Sequence, residues 1–289
     1  MVFHFLNLFY YDLYIALHQS LAMIERLDGA TRLYLILGDP IAQVKSPQGV
    51  TQAFHQRGHN ALLAPLHIAP EALGDFIRGA SLARNLDGLI VTVPHKFAAH
   101  DHCASATKRA NFLGAVNVMR RDAEGRWHGD QVDGLAYVEA LKKKGFEPSS
   151  RRVLLAGAGG AGSAIAEALV RAGTARLAIH DEDVDRRDTL IARLAALGTT
   201  EVVAGNRDPA GFALAINATP CGMGEDDPLP LDPAGLNGDT WVGDVITAPE
   251  VTHWISAARA KGCRTVLGVD MFAAVRELMV DFLLAGRNA

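Results

Sequence analysis

The stretch Arg152-Val153-Leu154-Leu155-Ala156-Gly157-Ala158-Gly159-Gly160-Ala161-Gly162 decides the fold. Val153 to Ala156 form an apolar run without polar alternation, the pattern of a central parallel strand buried on both faces. After the glycines comes SAIAEALVRAG, a helical pattern that ends at Gly173. A strand, a glycine turn and a helix in that order are the setting in which G-x-G-x-x-G holds a dinucleotide. Gly157 makes the tight turn, Gly159 lets backbone approach the pyrophosphate, and Gly162 lets the helix pack on the strand. Ala158, Gly160 and Ala161 complete the turn. The helix N-terminus then offers free N–H groups and the positive end of its dipole to phosphate. A glycine turn can be purely structural, but these flanks favour nucleotide binding.

Leu177 to His180 read as the next strand, and Asp181 stands at its end. That is near the spacing at which a carboxylate accepts from the ribose hydroxyls of NAD. Asp181, Glu182 and Asp183 together would repel a 2′-phosphate. Arg186 and Arg187 follow closely, but two arginines opening a surface helix more often face solvent. Charge therefore favours NAD over NADP.

Outward from this centre, 289 residues with 49% apolar content suffice for two cores of ordinary size. The net charge is −4, and the one basic block, Lys142-Lys143-Lys144, reads as the solvated end of a helix. Nucleic acid is therefore not an expected partner. Cys103, Cys221 and Cys263 are widely spaced with no C-x-x-C, which fits a reducing, cytoplasmic setting and argues against a structural zinc. His55, His59, His67, His95, His100 and His102 show no ligand spacing with acids, so no metal site is expected. Residues 1–30 begin with an aromatic-rich segment that lacks a basic n-region and a cleavage site. They read as an extra amphipathic helix, or as residues outside the fold, rather than as a signal peptide or membrane span.

From Thr31 the chain alternates apolar runs with helix-like segments: LYLILG, SPQGVTQAFHQRG, ALLAPLHI, EALGDFIRGASLAR and LDGLIVTV. Such alternation predicts crossover units on a mainly parallel sheet. Pro47 suits the first turn of a helix capped by Ser46. AVNVMRR and RWHGD, joined at Ala123-Glu124-Gly125, predict a hairpin added to that sheet. A helix from Asp133 to about Lys144 then leads into the nucleotide strand. Beyond Asp183 the strands EVVAG, FALAINAT, WVGDVI and CRTVLG continue the second unit, with Trp241 and Trp254 in its core. The last segment, DMFAAVRELMVDFLLAG, is an amphipathic helix with no following strand and is expected to cross back onto the first unit. The fold class is therefore α/β with two domains. Residues 31–140, joined by 269–289, form a mainly parallel substrate domain, and 141–268 form the Rossmann-type dinucleotide domain.

The reaction must come from the first domain, because a nucleotide fold alone does not specify chemistry. In Val91-Thr92-Val93-Pro94-His95-Lys96, a buried-type strand runs into a proline-stopped turn. This exposes Thr92 and Lys96 at the carboxyl end, where open parallel sheets bind ligands. Asn117 lies in the hairpin strand, and Asp133 follows GDQV at a helix start. By spacing alone, these residues equally suit a solvated lysine, a turn residue and an N-cap.

The strings GDPIAQVKSP, DGLIVTVPHK, GAVNV, GDQVDG, GAGGAG, NATPCGM and GVDM, in this order over residues 31–289, resemble the shikimate/quinate dehydrogenase family. The resemblance implies a cleft between two domains, with Lys96 and Asp133 as the catalytic pair and Ser46, Thr92 and Asn117 binding substrate. It further implies that Asn217, Thr219, Pro220, Met223, Gly268 and Met271 line the nicotinamide side. Oxidising a secondary alcohol requires removal of the O–H proton as hydride leaves carbon, and the reverse requires a proton donor at the carbonyl oxygen. A neighbouring carboxylate favours the charged lysine, so Lys96 reads as proton donor and alkoxide stabiliser, with Asp133 orienting it.

The departures from the family pattern are at substrate positions. Val44, Ile90, Thr247 and Val275 stand where the resemblance implies serine, asparagine, tyrosine and glutamine. Several lost polar contacts would weaken binding of a polyhydroxylated acid, since each unpartnered buried hydroxyl costs about 1 to 3 kcal/mol. The leading expectation is an NAD-preferring oxidoreductase acting on a ring hydroxy acid, shikimate, quinate or a relative. The alternatives are an NADP-dependent shikimate dehydrogenase of aromatic amino-acid biosynthesis and a catalytically silent NAD-binding sensor. The expected partner is the small-molecule substrate, with a homodimer as the assembly to consider. Cys221 reads as a small packing residue.

Overall fold

The computed structural model describes residues 27–198 and 200–285. The helix expected within residues 1–30 falls almost wholly outside them. Two six-stranded sheets organise the chain.

The first sheet holds β1 (Arg32–Gly38), β2 (Ala61–His67), β3 (Leu86–Val91), β4 (Ser105–Ala106), β5 (Val118–Arg121) and β6 (Trp127–Asp130), in the order β2-β1-β3-β5-β6-β4. Its β1 pairs in parallel with β2 and β3. The expected hairpin is present as antiparallel β5 and β6, and it adds to β3. The short strand β4 had no readable periodicity.

The second sheet holds β7 (Arg152–Ala156), β8 (Arg176–His180), β9 (Glu201–Ala204), β10 (Leu214–Asn217), β11 (Trp241–Asp244) and β12 (Arg264–Val266), all parallel, in the order β12-β11-β10-β7-β8-β9. Strand β7 has β8 on one side and β10 on the other, so the order reverses there. The crevice at the carboxyl ends of β7 and β10 is the ligand position of such a sheet.

The helices are α1 (Ser46–Gln56), α2 (Leu73–Ala80), α3 (Lys96–His100), α4 (Lys108–Leu113), α5 (Asp133–Lys144), α6 (Gly160–Arg171), α7 (Val184–Leu194), α8 (His253–Ala260) and α9 (Gly268–Leu284). Two capping expectations are corrected. Ser46 is the first helical residue of α1 and Lys45 holds the cap position, with no side chain closing the turn. Asp133 likewise sits inside the first turn of α5, after Val132, and its carboxylate is engaged elsewhere.

As expected, α9 returns to the first sheet: the Phe282 ring stacks on His128 at 5.7 Å, and the Arg120 guanidinium lies 5.2 Å from its centre. Trp254 and Trp241 are both buried in the second unit. The join between the halves is tight. A Cβ on Gly134 of α5 would overlap the carbonyl oxygen of Ala164 on α6, so only glycine permits this helix contact. No helix among the described residues is long and apolar enough to cross a membrane.

Candidate active site

Three side chains from three elements of the first unit converge. Lys96 opens α3, Asn117 immediately precedes β5, and Asp133 opens α5. Lys96 Nζ donates to Asp133 Oδ2 at 2.6 Å, and Asn117 Nδ2 donates to Asp133 Oδ1 at 2.7 Å. The pair is largely withdrawn from water, with side-chain exposures of 12% for Lys96 and 7% for Asp133. Charge-assisted bonds in such surroundings are strong and hold direction.

The backbone explains why these residues meet. Thr92 N–H donates to Leu37 O on β1, and His95 N–H then donates to Thr92 O, which turns the chain so that Lys96 begins a helix. Val116 N–H donates to Lys96 O at 2.9 Å and fastens that turn to the segment that carries Asn117 into β5. Asn117 Oδ1 accepts from Val132 N–H at 3.0 Å, so the asparagine orients Asp133 from both sides of its own amide.

Gln131 escaped the sequence reading. Its Oε1 accepts from Asp133 N–H at 3.0 Å, while its buried Nε2 has no partner among the described residues. Its place two residues before Asp133 in GDQVDG was the available signal. Ser46 lies buried at the start of α1, and Thr92 follows β3 with its methyl group against Gly38.

Across the cleft stands the glycine turn. Gly157 adopts a φ of 102° against the Ala218 carbonyl, and a Cβ at Gly162 would overlap Gly157 O. Nothing lies within 4 Å of where a Gly159 Cβ would point. Close packing below the turn and open space above it fit a pyrophosphate at the start of α6. A Cβ on Gly160 would stand 3.3 Å from Lys96 Cδ, so the lysine of one unit already lies against the nucleotide turn of the other.

Asp181, expected to meet the ribose of NAD, is engaged within the chain. Its Oδ2 accepts from Ala158 N–H in the glycine turn at 2.6 Å, and its Oδ1 accepts from Asp183 N–H at 2.9 Å and Arg186 Nη2 at 2.6 Å. Burial works to raise this carboxyl, but Arg186 and the two N–H groups outweigh it and hold the group below the usual carboxylate range. Arg186 is exposed, as expected, and its guanidinium also reaches one turn back to Asp181.

The residues expected on the nicotinamide side also differ in what they do. Asn217 is fully buried: its Nδ2 donates to Cys221 O at 3.0 Å and its Oδ1 accepts from Thr219 Oγ1 at 2.7 Å and Thr219 N–H at 3.0 Å. It shapes the turn from within. Pro220 follows in that turn, Met223 is half exposed at its tip, and Cys221 is partly exposed between them. Gly268 lies so close to the Ile246 carbonyl that a Cβ would overlap it, and Met271 is buried in the first turn of α9.

This geometry has known counterparts. The pattern of the shikimate dehydrogenase substrate binding domain matches residues 36–119. The shikimate dehydrogenase (NADP(+)) of Rubrobacter xylanophilus is 36% identical over 250 residues, covering 85% of this chain and 88% of its own. Among solved structures, the 5-ketofructose reductase of Gluconobacter sp. strain CHM43 superposes with a TM-score of 0.79 at 29% identity, over 88% of this chain and 93% of that one. Quinate dehydrogenase from Corynebacterium glutamicum, solved in complex with NAD, gives a TM-score of 0.79 at 27% identity, over 88% and 94% respectively.

Proposed function

The chain belongs to the shikimate dehydrogenase family and is an oxidoreductase acting on a CH–OH group with a dinucleotide cofactor, and we propose that it interconverts a secondary alcohol of a cyclic hydroxy acid and the matching ketone. The observation that carries this reading is the Lys96, Asp133 and Asn117 cluster held against the glycine turn at Gly160. Residues 31–140 with 269–289 form the substrate half in this reading, and 141–268 the dinucleotide half.

When bound, the nicotinamide supplies or accepts the hydride. The chain's own groups handle the proton. In the reducing direction, the Lys96 ammonium gives a proton to the carbonyl oxygen as charge develops there, and in the reverse direction the neutral amine takes it back. Asp133 Oδ2 keeps the ammonium aimed at the cleft, and the Asn117 amide keeps the carboxylate from rotating. The carboxylate also stands ready to accept from a substrate hydroxyl beside the reacting carbon.

For the substrate, the apolar departures are informative. Ile90 and Val275 are buried in one apolar cluster, and Val44 packs against it. A floor of this kind offers few partners to hydroxyl groups, which supports a ligand with fewer polar contacts than shikimate or quinate would seek. A similar chain is a 5-ketofructose reductase, so ketoses belong in the panel with the ring acids.

For the cofactor, we propose NADP. The charge argument for NAD requires a carboxylate free to meet the ribose, whereas Asp181 is spent on Ala158, Asp183 and Arg186. The Arg186 guanidinium at that spot supplies a cation, and the Rubrobacter relative is named for NADP(+). NAD remains a second reading on one observation: Asp181, Glu182 and Asp183 crowd three carboxylates at the end of β8. The test of both is one screen. Shikimate, quinate, their keto forms and 5-ketofructose are offered with each nicotinamide nucleotide at equal concentration, following nicotinamide absorbance. Turnover with at least one ring acid and NADP supports the reading, and turnover with none of the ring acids overturns its substrate class.

A further inference from the structure

One carboxylate fastens together the parts of the second unit that face the first. Asn217 and Asp244 end the neighbouring strands β10 and β11 in the same register, so their side chains meet at the carboxyl edge of the sheet. Asp244 is 1% exposed. Its Oδ1 accepts from Asn217 Nδ2 at 3.2 Å and from Ile246 N–H at 3.0 Å, and its Oδ2 accepts from Thr252 Oγ1 at 2.7 Å. The three donors come from the strand edge before the 218–223 turn, from the start of the 245–252 loop and from its end. An asparagine keeps one acceptor oxygen for Asn217 and Ile246 but turns an N–H toward Thr252 where the aspartate offers a charged acceptor, so the charge-assisted bond that Thr252 donates is lost and the ties that remain are weaker.

Both segments that Asp244 joins border the cleft. Asn217 carries the turn that includes Thr219 and Cys221 through its own amide. The 245–252 loop carries Thr247, whose carbonyl accepts from Lys45 Nζ of the first unit at 3.0 Å. Beneath them, the buried Tyr137 hydroxyl of α5 lies against Gly243, where a Cβ would overlap it. The helix that starts with Asp133 therefore abuts the strand that ends with Asp244. Burial among neutral donors also pushes the Asp244 carboxyl above the usual range, so its place is held at an energetic cost.

We propose that Asp244 is a positioning residue: by tying the 217–223 turn to the 245–252 loop, it fixes the seat of the nicotinamide relative to Lys96 and Asp133 without touching cofactor or substrate. The inference rests on the dinucleotide reading above.

The test compares whole cofactor with a fragment that lacks the nicotinamide. Wild type and Asp244→Asn are titrated calorimetrically with NADPH and 2′-phospho-ADP-ribose, and with NADH and ADP-ribose. For whichever pair wild type binds, the variant should bind the fragment as wild type does and the whole nucleotide roughly tenfold more weakly, the size expected from losing hydrogen bonds to a charged group. A purely structural defect would weaken both alike. Equal losses for fragment and whole cofactor, or no loss for either, would overturn the inference. If Asp244→Asn does not fold, Asn217→Ala breaks the same tie from the other side and must show the same split, or the inference fails. Wild-type protein that binds neither nucleotide overturns the dinucleotide reading itself, an outcome distinct from a variant that binds normally.

Discussion

Lys96 Nζ and Asp133 Oδ2 stand 2.6 Å apart, although the residues are 37 positions distant in the chain and open two different helices. Both side chains are largely buried, so each feels the other strongly. Asp133→Asn keeps the shape and removes the charge that aims the ammonium. Turnover should fall about 10² to 10⁴-fold, the range of a lost acid–base contribution, with cofactor binding unchanged. Steady-state kinetics alongside a cofactor titration check this.

Gly134→Ala should destabilise the protein as a whole. The added methyl meets the Ala164 carbonyl of α6, which belongs to a helix backbone and cannot swing away. Overpacking of this kind costs about 1 to 3 kcal/mol, so thermal denaturation should show Tm lowered by several degrees. Turnover should drop too, because Asp133 is the adjacent residue. An unchanged Tm would mean that the two helices can part freely.

Acid stability should depend on Asp181. Its folded carboxyl lies below its ordinary value, so its contribution to stability is fully present above the unfolded value of 3.8 and is lost as pH falls through the folded one. Asp181→Asn should be less stable than wild type at neutral pH, and the gap should narrow as pH falls below 3.8 and through the lower folded value, beneath which both carry a neutral side chain. Denaturant titrations at pH 7, 4 and 3 measure the gap. A constant difference would show that the charge is not what matters.

Thiol reactivity should single out one cysteine. Burial, helped by the charge of Asp101, pushes the Cys103 thiol up to about 12, and burial also raises that of Cys263. Alkylation proceeds through the thiolate, so both should react slowly at pH 8. Cys221, partly exposed beside Asn217, should react first, and bound cofactor should slow it. Peptide mass mapping over time reads the order, and equal rates at Cys103 and Cys221 would contradict it.

What was legible in the sequence follows from range. The strand and glycine turn at Arg152 to Gly162 are local, since the periodicity and the φ-permissive residues lie within a few positions of one another, and the fold followed from them. Lys96, Asn117 and Asp133 stood out only as ends of elements, and spacing alone could not tell a cap from a ligand. Asp133 illustrates the difficulty, because its side chain turned from its own helix to a lysine and an asparagine on other elements. Arg186 shows the same limit within one turn. It is exposed, as a helix-opening arginine should be, yet its guanidinium also binds a buried carboxylate one turn back, and the depth of Asp181 depends on the sheet beside it. Gln131 and Asp244 were silent for the same reason: their roles come from partners that the backbone brings to them.

The most direct measurement of the central claim is turnover of Lys96→Ala with the best substrate of the screen, together with its affinity for the cofactor. A fall of about 10³-fold or more in kcat, with cofactor affinity within about twofold of wild type, is the expected result. Turnover near that of wild type would contradict the assignment of the proton to Lys96.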